Sequence, residues 1–241
     1  MKKILVPTDF TPAAAAAAKA AQVIAQQNLS GITLFHVLNS HSSTLLKKAG
    51  KTEVEPREHL THLCNKLQEE SGLNCYPKMA EGNIFTEINR EAATGDYVMT
   101  VIGTHGAKGL RENLFGADLL KIAKKSPIPL LAVPEDFSWS DSNRKIVFPF
   151  AGHLKFENKI KATAKLAKAV NAEVLIYSIR KGQKALTSQA AMNVSTAKDY
   201  FEEHQVKHAI LELPAEGFSI GFSKQTLEYA KTEKANVIAV M

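Results

Sequence analysis

YVMTVIGTHGAKGLRENLFGADLLKIAKKSPIPLLAV, residues 97–133, is the stretch that decides the fold. It runs from an apolar strand through a glycine-bearing loop and a helix into a second apolar strand. Gly103, Gly106 and Gly116 stand in the spacing G-x2-G-x9-G. Glycine just after a strand admits positive φ and lets backbone N–H groups approach an anion closely. A helix beginning at Gly116 would aim its positive dipole end and its unpaired N–H groups at the same place. Together these read as a phosphate site, most simply that of a nucleotide. A tight βα turn with no ligand fits the same glycines, and the loop alone does not separate the two.

Upstream, KILVP at 3–7 is a short continuous apolar run, as expected of a central parallel strand covered on both faces. In the TDFTP that follows, Thr11 can cap a helix and Pro12 suits its first turn. Residues 13–27 are rich in alanine, the best helix former, and their small side chains allow close approach to a sheet. A turn at 28–31 leads to a second strand, ITLFHVL, at 32–38. Residues 39–57 read as an exposed loop, and 58–71 as a helix with Leu60, Leu63 and Leu67 on one face. An edge-side strand at 74–79, a helix at 84–93 and the strand at 97–102 come next. The last helix of the unit is expected at 119–125, and the fifth strand at 130–133. This alternation argues for an open parallel α/β sheet with right-handed crossovers.

The polar stretch PEDFSWSDSN at 134–143 is the best linker candidate, and the only tryptophan, Trp139, lies in it. Beyond it the pattern restarts. KIVFP at 145–149 echoes KILVP. A helix at 157–170, a strand at 173–179, a helix at 194–203, a strand at 208–213, a helix at 223–234 and a strand at 236–240 follow. NVIAVM at 236–241 matches YVMTVI at 97–102, so the second repeat lacks a glycine loop and its last strand. The expected domains are 1–137 with the glycine loop, a linker at 138–143, and a degenerate second domain at 144–241.

A chain of 241 residues suits two domains, and 45% apolar residues is ordinary for a globular protein. No apolar run approaches the ~20 residues of a membrane span, and the N-terminal apolar run is too short for a secretory signal. Cys64 and Cys75 are the only cysteines and form no CxxC, which fits free thiols in a cytoplasmic protein. The net charge of +6 is carried by lysines spread over helices, with few aromatics among them. Solvated lysine faces are therefore expected, with no specific nucleic acid and no membrane as partner.

ILVPTDF near the N-terminus, LFHV ending the second strand, VIGTHGAKG…FGADLL and the closing PIPLLAVP resemble a universal stress protein domain. The resemblance covers the first repeat and continues more weakly through the second, like the tandem members of that family. It implies a five-stranded parallel sheet of order 3-2-1-4-5, of the adenine nucleotide alpha hydrolase-like kind, with the second sheet lacking its last strand. One branch of the family binds ATP through G-x2-G-x9-G-[ST]. By resemblance, Asp9 and the backbone around Val37 would hold adenine or ribose, and Pro7 and Thr8 would line that pocket. Gly103, Thr104, His105 and Gly106 would cradle the phosphates, with Gly116 at the helix start. The residues agree with this, because Asp9 follows strand one and Gly103 follows strand four, which flank the switch point in that topology.

Two positions depart from the family pattern. Ala117 replaces a Ser or Thr, which removes a hydroxyl donor worth about 1–2 kcal/mol. Asp118 would place a carboxylate in the first turn of the helix, good for the dipole and repulsive to a triphosphate. In the second repeat Pro149-Phe150-Ala151 replaces Pro7-Thr8-Asp9, so that repeat is read as non-binding.

His59 and His62 share a helix face and read as a surface pair. His36 reads as a packed or hydrogen-bonded residue, and His105 as a phosphate donor. GxSxG, GxxxxGK[ST] and HExxH are all missing, so hydrolase, P-loop and zincin readings have no support. The expected function is binding or sensing of an adenine nucleotide, ATP or AMP with Mg²⁺ allowed, in a stress response. A homodimer and an unidentified protein partner are expected with it. A non-nucleotide scaffold of the same fold and a slow ATPase or autokinase are the alternatives; no general base stands beside the loop, so no catalytic residue is assigned.

Overall fold

The computed structural model describes residues 2–26, 31–39, 44, 52, 54–104, 112–139, 142–150, 156–180, 188–214 and 222–241, with backbone alone for 112–118, 179–180 and 213–214. The chain divides into two compact units, Met1–Ser138 and Trp139–Met241.

The first unit runs β1 (Lys3–Pro7), α1 (Pro12–Ala25), β2 (Ile32–Leu38), α2 (Val54–Ser71), β3 (Cys75–Glu81), α3 (Ile84–Ala92), β4 (Tyr97–Thr104), α4 (Glu112–Lys125) and β5 (Leu130–Pro134). Its five strands lie in the order β3-β2-β1-β4-β5, all pairs parallel, as expected. All seven residues of β2 are buried, which explains its unbroken apolar run. β3, at the edge, buries Cys75 and exposes the three residues after it.

Thr11 caps α1, its hydroxyl accepting from the Ala14 N–H at 3.3 Å, and Pro12 opens the helix. The alanines at 13, 14, 16, 17, 20 and 21 are buried. Their small side chains let α1 lie unusually close to β4. A Cβ added to Gly103 would stand 2.1 Å from the Ala13 carbonyl oxygen and 2.7 Å from the Ala14 nitrogen. Gly103 is thus an in-strand residue paired with Val133 on β5, and its missing side chain serves helix–strand packing.

α2 starts at Val54, four residues earlier than its apolar pattern predicts, because Thr52 and Glu55 build a capping box. The Thr52 N–H donates to Glu55 Oε2 at 2.9 Å, and the Val54 N–H donates to Thr52 Oγ1 at 3.2 Å. The buried face of α2 is Leu60, Cys64 and Leu67. Leu63 is not part of it, since positions four and seven along from Leu60 complete the stripe.

α4 begins at Glu112, so the expected helix start at Gly116 is corrected. A single glycine costs about 1 kcal/mol inside a helix. The helix, fourteen residues long, carries that penalty in its second turn. Gly116 therefore lies in the second turn, where its N–H is used by the helix itself.

The second unit runs β6 (Lys145–Phe150), α5 (Glu157–Val170), β7 (Glu173–Arg180), α6 (Ser188–Glu203), β8 (His208–Pro214), α7 (Phe222–Thr232) and β9 (Val237–Ile238). Its sheet has four parallel strands among the described residues, ordered β8-β7-β6-β9. That is the order of the first four strands of the other sheet. β9 is shorter than expected, pairing only with Ile146 and Val147, while Val240 and Met241 stand exposed. Aromatic residues fill this core: Phe148 meets Phe201 edge-on at 5.7 Å, and Tyr177 stacks on Tyr229 at 4.6 Å.

Lys159 of α5 turns inward. Its ammonium donates to the Pro149 carbonyl at 2.6 Å and lies 4.2 Å over the Phe148 ring. Burial pushes its pKa down to about 8.

Two tests follow from this packing. Gly103→Ala forces α1 off β4 and should destabilise the chain by about 1–3 kcal/mol, read by urea unfolding followed by circular dichroism. For Lys159, the unfolded chain holds the proton up to about 10.5 and the folded chain only to about 8. Wild-type stability relative to Lys159→Met should therefore rise between those two pH values and be flat below them. A stability difference independent of pH across that window would refute the depressed lysine.

Candidate functional site

The C-terminal ends of β1, β2 and β4 meet beside the first turn of α1. Pro7 closes β1, buried and in register with Phe35. The Thr8 N–H donates to the Phe35 carbonyl at 2.9 Å, the last link between the two strands. Past it the chain turns sharply. Thr8 Oγ1 accepts from the Phe10 N–H at 3.1 Å, and Phe10 takes φ 66°, a left-handed conformation rare outside glycine. Asp9, at the apex, is exposed. Its Oδ1 accepts from both the Thr11 N–H, at 3.1 Å, and the Thr11 hydroxyl, at 2.5 Å. The carboxylate is thereby fixed in direction while also bracing the cap of α1.

Three aromatic rings hold this turn. Phe10 lies 4.5 Å from His36 of β2 and meets His59 of α2 edge-on at 4.8 Å. His36 is buried, and its Nδ1 sits 2.8 Å from the Thr8 carbonyl. A carbonyl only accepts, so Nδ1 carries the proton. His59 and His62 are both exposed. Among the described residues no three His, Cys, Asp or Glu side chains are grouped to hold a metal.

Val37 buries its side chain in the core with Phe35, Ile88 and Tyr97. Strand alternation turns the Val37 N–H and carbonyl to the same side as those of Phe35, toward β1. β1 has already ended there, at the Pro7–Phe35 pair.

On the other flank, Gly103 sits against Ala13, which joins the end of β4 to the helix that Asp9 introduces. Thr104 is the last residue of β4, and its hydroxyl donates to the Val133 carbonyl at 3.1 Å. His105 and Gly106 lie outside the described residues. Gly116, Ala117 and Asp118 are the fifth to seventh residues of α4, so Asp118 is not in the first helical turn. The structure thus places Pro7, Val37 and Gly103 at or one residue from the C-terminal ends of β1, β2 and β4, with Thr8 and Asp9 in the turn after β1, and does not put Gly116 at a helix start. The Phe10–His36–His59 group carries no signal in the sequence, since its members lie 26 and 23 residues apart with no periodicity.

In the second unit the matching position, after Pro149 and Phe150, has no aspartate, and the Lys159 ammonium occupies the end of β6.

A family model described as Universal stress protein family matches residues 1–134. Universal stress protein MJ0531 of Methanocaldococcus jannaschii is 28% identical over 138 residues, covering 55% of this chain and 81% of that protein. Universal stress protein MJ0577 of the same organism is 29% identical over 153 residues, covering 55% and 94%. The crystal structure of a universal stress protein from Archaeoglobus fulgidus shares the fold with a TM-score of 0.70 at 13% identity, covering 98% of this chain and 85% of that one. No helix among the described residues is long and apolar enough to cross a membrane. With the family model spanning more than half its length, and the sheet order agreeing, the chain belongs to the universal stress protein family.

Proposed function

We propose that the first unit binds an adenine nucleotide, ATP or AMP, at the ends of β1, β2 and β4, as a sensor in a stress response. The observation that carries this reading is the turn at Asp9. One carboxylate oxygen is committed to Thr11, which aims the group, and the turn leaves the aspartate exposed. A fixed acceptor of this kind suits a ribose hydroxyl. The outward backbone edge of Val37, a donor and an acceptor side by side, suits the polar edge of adenine. Pro7 and Thr8 form the floor between them. The phosphates are assigned to Gly103, Thr104, His105 and Gly106, with Mg²⁺ as counter-charge for ATP.

The same reading takes the chain as a homodimer. Among the described residues β5 is the edge of the first sheet, paired with β4 alone, and such a parallel edge favours a second copy. Light scattering on the full chain should give twice the monomer mass.

Nucleotide binding stabilises the native state by mass action, about 2.7 kcal/mol at a hundredfold excess over Kd. Both ATP with Mg²⁺ and AMP should therefore raise the melting temperature of the full chain by several degrees. Asp9→Asn should keep the Thr11 contacts and lose most of the shift, while Asp9→Ala should lose the shift and also weaken the α1 cap. The absence of any shift or calorimetric heat with either nucleotide would overturn the proposal.

A further inference from the structure

We propose that Phe10 is a specificity-determining residue: clasped between His36 and His59, it holds the Asp9 turn in one conformation and so lets the site tell a ribonucleotide from its deoxy counterparts. This rests on the nucleotide reading above and concerns the part of that site that meets the sugar. Asp9 is exposed, and its Oδ1 is committed to the Thr11 N–H and hydroxyl. Its Oδ2 has no hydrogen bond among the described residues, so it is the acceptor left for a sugar hydroxyl. The residues on either side are each pinned from another element. Thr8 is held twice: its N–H donates to the Phe35 carbonyl at 2.9 Å, and its carbonyl accepts from His36 Nδ1 at 2.8 Å. Phe10 donates its N–H to Thr8 Oγ1 at 3.1 Å and sets its ring 4.5 Å from His36 of β2 and 4.8 Å from His59 of α2. Two other elements, β2 and α2, thus fix the neighbours of one exposed carboxylate.

Neither the strands nor the helix needs this arrangement. The β1–β2 ladder closes at the Thr8 N–H, and α1 has its cap in Thr11 and its first turn in Pro12. The backbone at residue 10, with φ 66°, is one that glycine adopts without strain. Glycine would therefore make the same turn, and what the phenylalanine adds is ring contact with two histidines. The consequence falls on binding. A carboxylate free to swing must lose that freedom to reach a hydroxyl, and the loss offsets the new hydrogen bond. One already held in place loses little, so the bond appears in affinity. A hydroxyl donating to a charged acceptor is worth about tenfold or more in affinity, and a ligand without the hydroxyl forgoes it.

The test titrates the full chain calorimetrically with AMP, 2′-deoxy-AMP and 3′-deoxy-AMP, and follows urea unfolding of each variant alongside. The wild type should bind AMP about tenfold or more tightly than at least one of the deoxy forms. Phe10→Gly should bring that ratio within about twofold, by weakening AMP while the deoxy forms bind as before. Phe10→Tyr keeps the ring and should retain the wild-type ratio, and His59→Ala should fall between. His59 is exposed on α2, so that variant decides even where Phe10→Gly fails to fold. A clasp with only a structural role would lower the urea midpoint and weaken all three nucleotides alike. An unchanged ratio in Phe10→Gly or in His59→Ala would thus overturn the proposal. So would a wild type that binds AMP and both deoxy forms equally, which leaves the nucleotide reading intact. A wild type that binds none of the three overturns that reading and this inference with it.

Discussion

A missing side chain holds the first unit together at the C-terminal ends of its strands. Gly103 lets the first turn of α1 press on β4, with no space for even a methyl group between them. Because α1 is introduced by the turn at Asp9, this one contact brings that turn and the end of β4, nearly a hundred residues apart in sequence, to the same end of the sheet. The alanines of α1 serve the same end, since larger residues on its buried face would lift it from the sheet. Close packing here is therefore the condition for a site, and the glycine is explained by the protein's own backbone before any ligand is considered.

Much of this was legible in the residues. The unbroken apolar runs at 3–7 and 32–38 announced buried parallel strands, and Thr11-Pro12 announced a capped helix start; both stand as read. The G-x2-G-x9-G spacing was less transparent, because a glycine states that a side chain is unwelcome and not why. Gly103 is needed for packing against Ala13, and Gly116 tolerates a place inside a helix that began a turn earlier. The start of α2 carried a signal that apolar periodicity overlooks, the Thr52-x-x-Glu55 box. Placing Cys64 rather than Leu63 in the core required the sheet's position, since both choices fit a helical stripe.

The two units show how far one strand order can diverge in chemistry. Each has its first strand inside the sheet, flanked by its second and fourth, with a proline at the last or next-to-last position of that strand. In the first unit that end leads to a carboxylate held out to solvent by Thr11. In the second it receives a lysine folded inward onto a carbonyl and an aromatic face. An inward cation stabilised by its own chain fills the position with protein, and burial weakens its hold on the proton.

The turn at Asp9 is strained, and the strain has a visible counterweight. A left-handed residue other than glycine costs roughly 1–2 kcal/mol, and Phe10 adopts that conformation at φ 66°. What offsets it is side-chain contact: the Phe10 ring lies between His36 and His59, and the His36 ring fixes the Thr8 carbonyl that begins the turn. Glycine at residue 10 would relieve the backbone and lose the rings, freeing Asp9 to move. The same reasoning extends to α2, which supplies His59 from one side and Cys64 from its buried face. The helix that steadies the Asp9 turn is thus seated by its own buried face, Leu60, Cys64 and Leu67, so the geometry of the turn depends on how α2 packs.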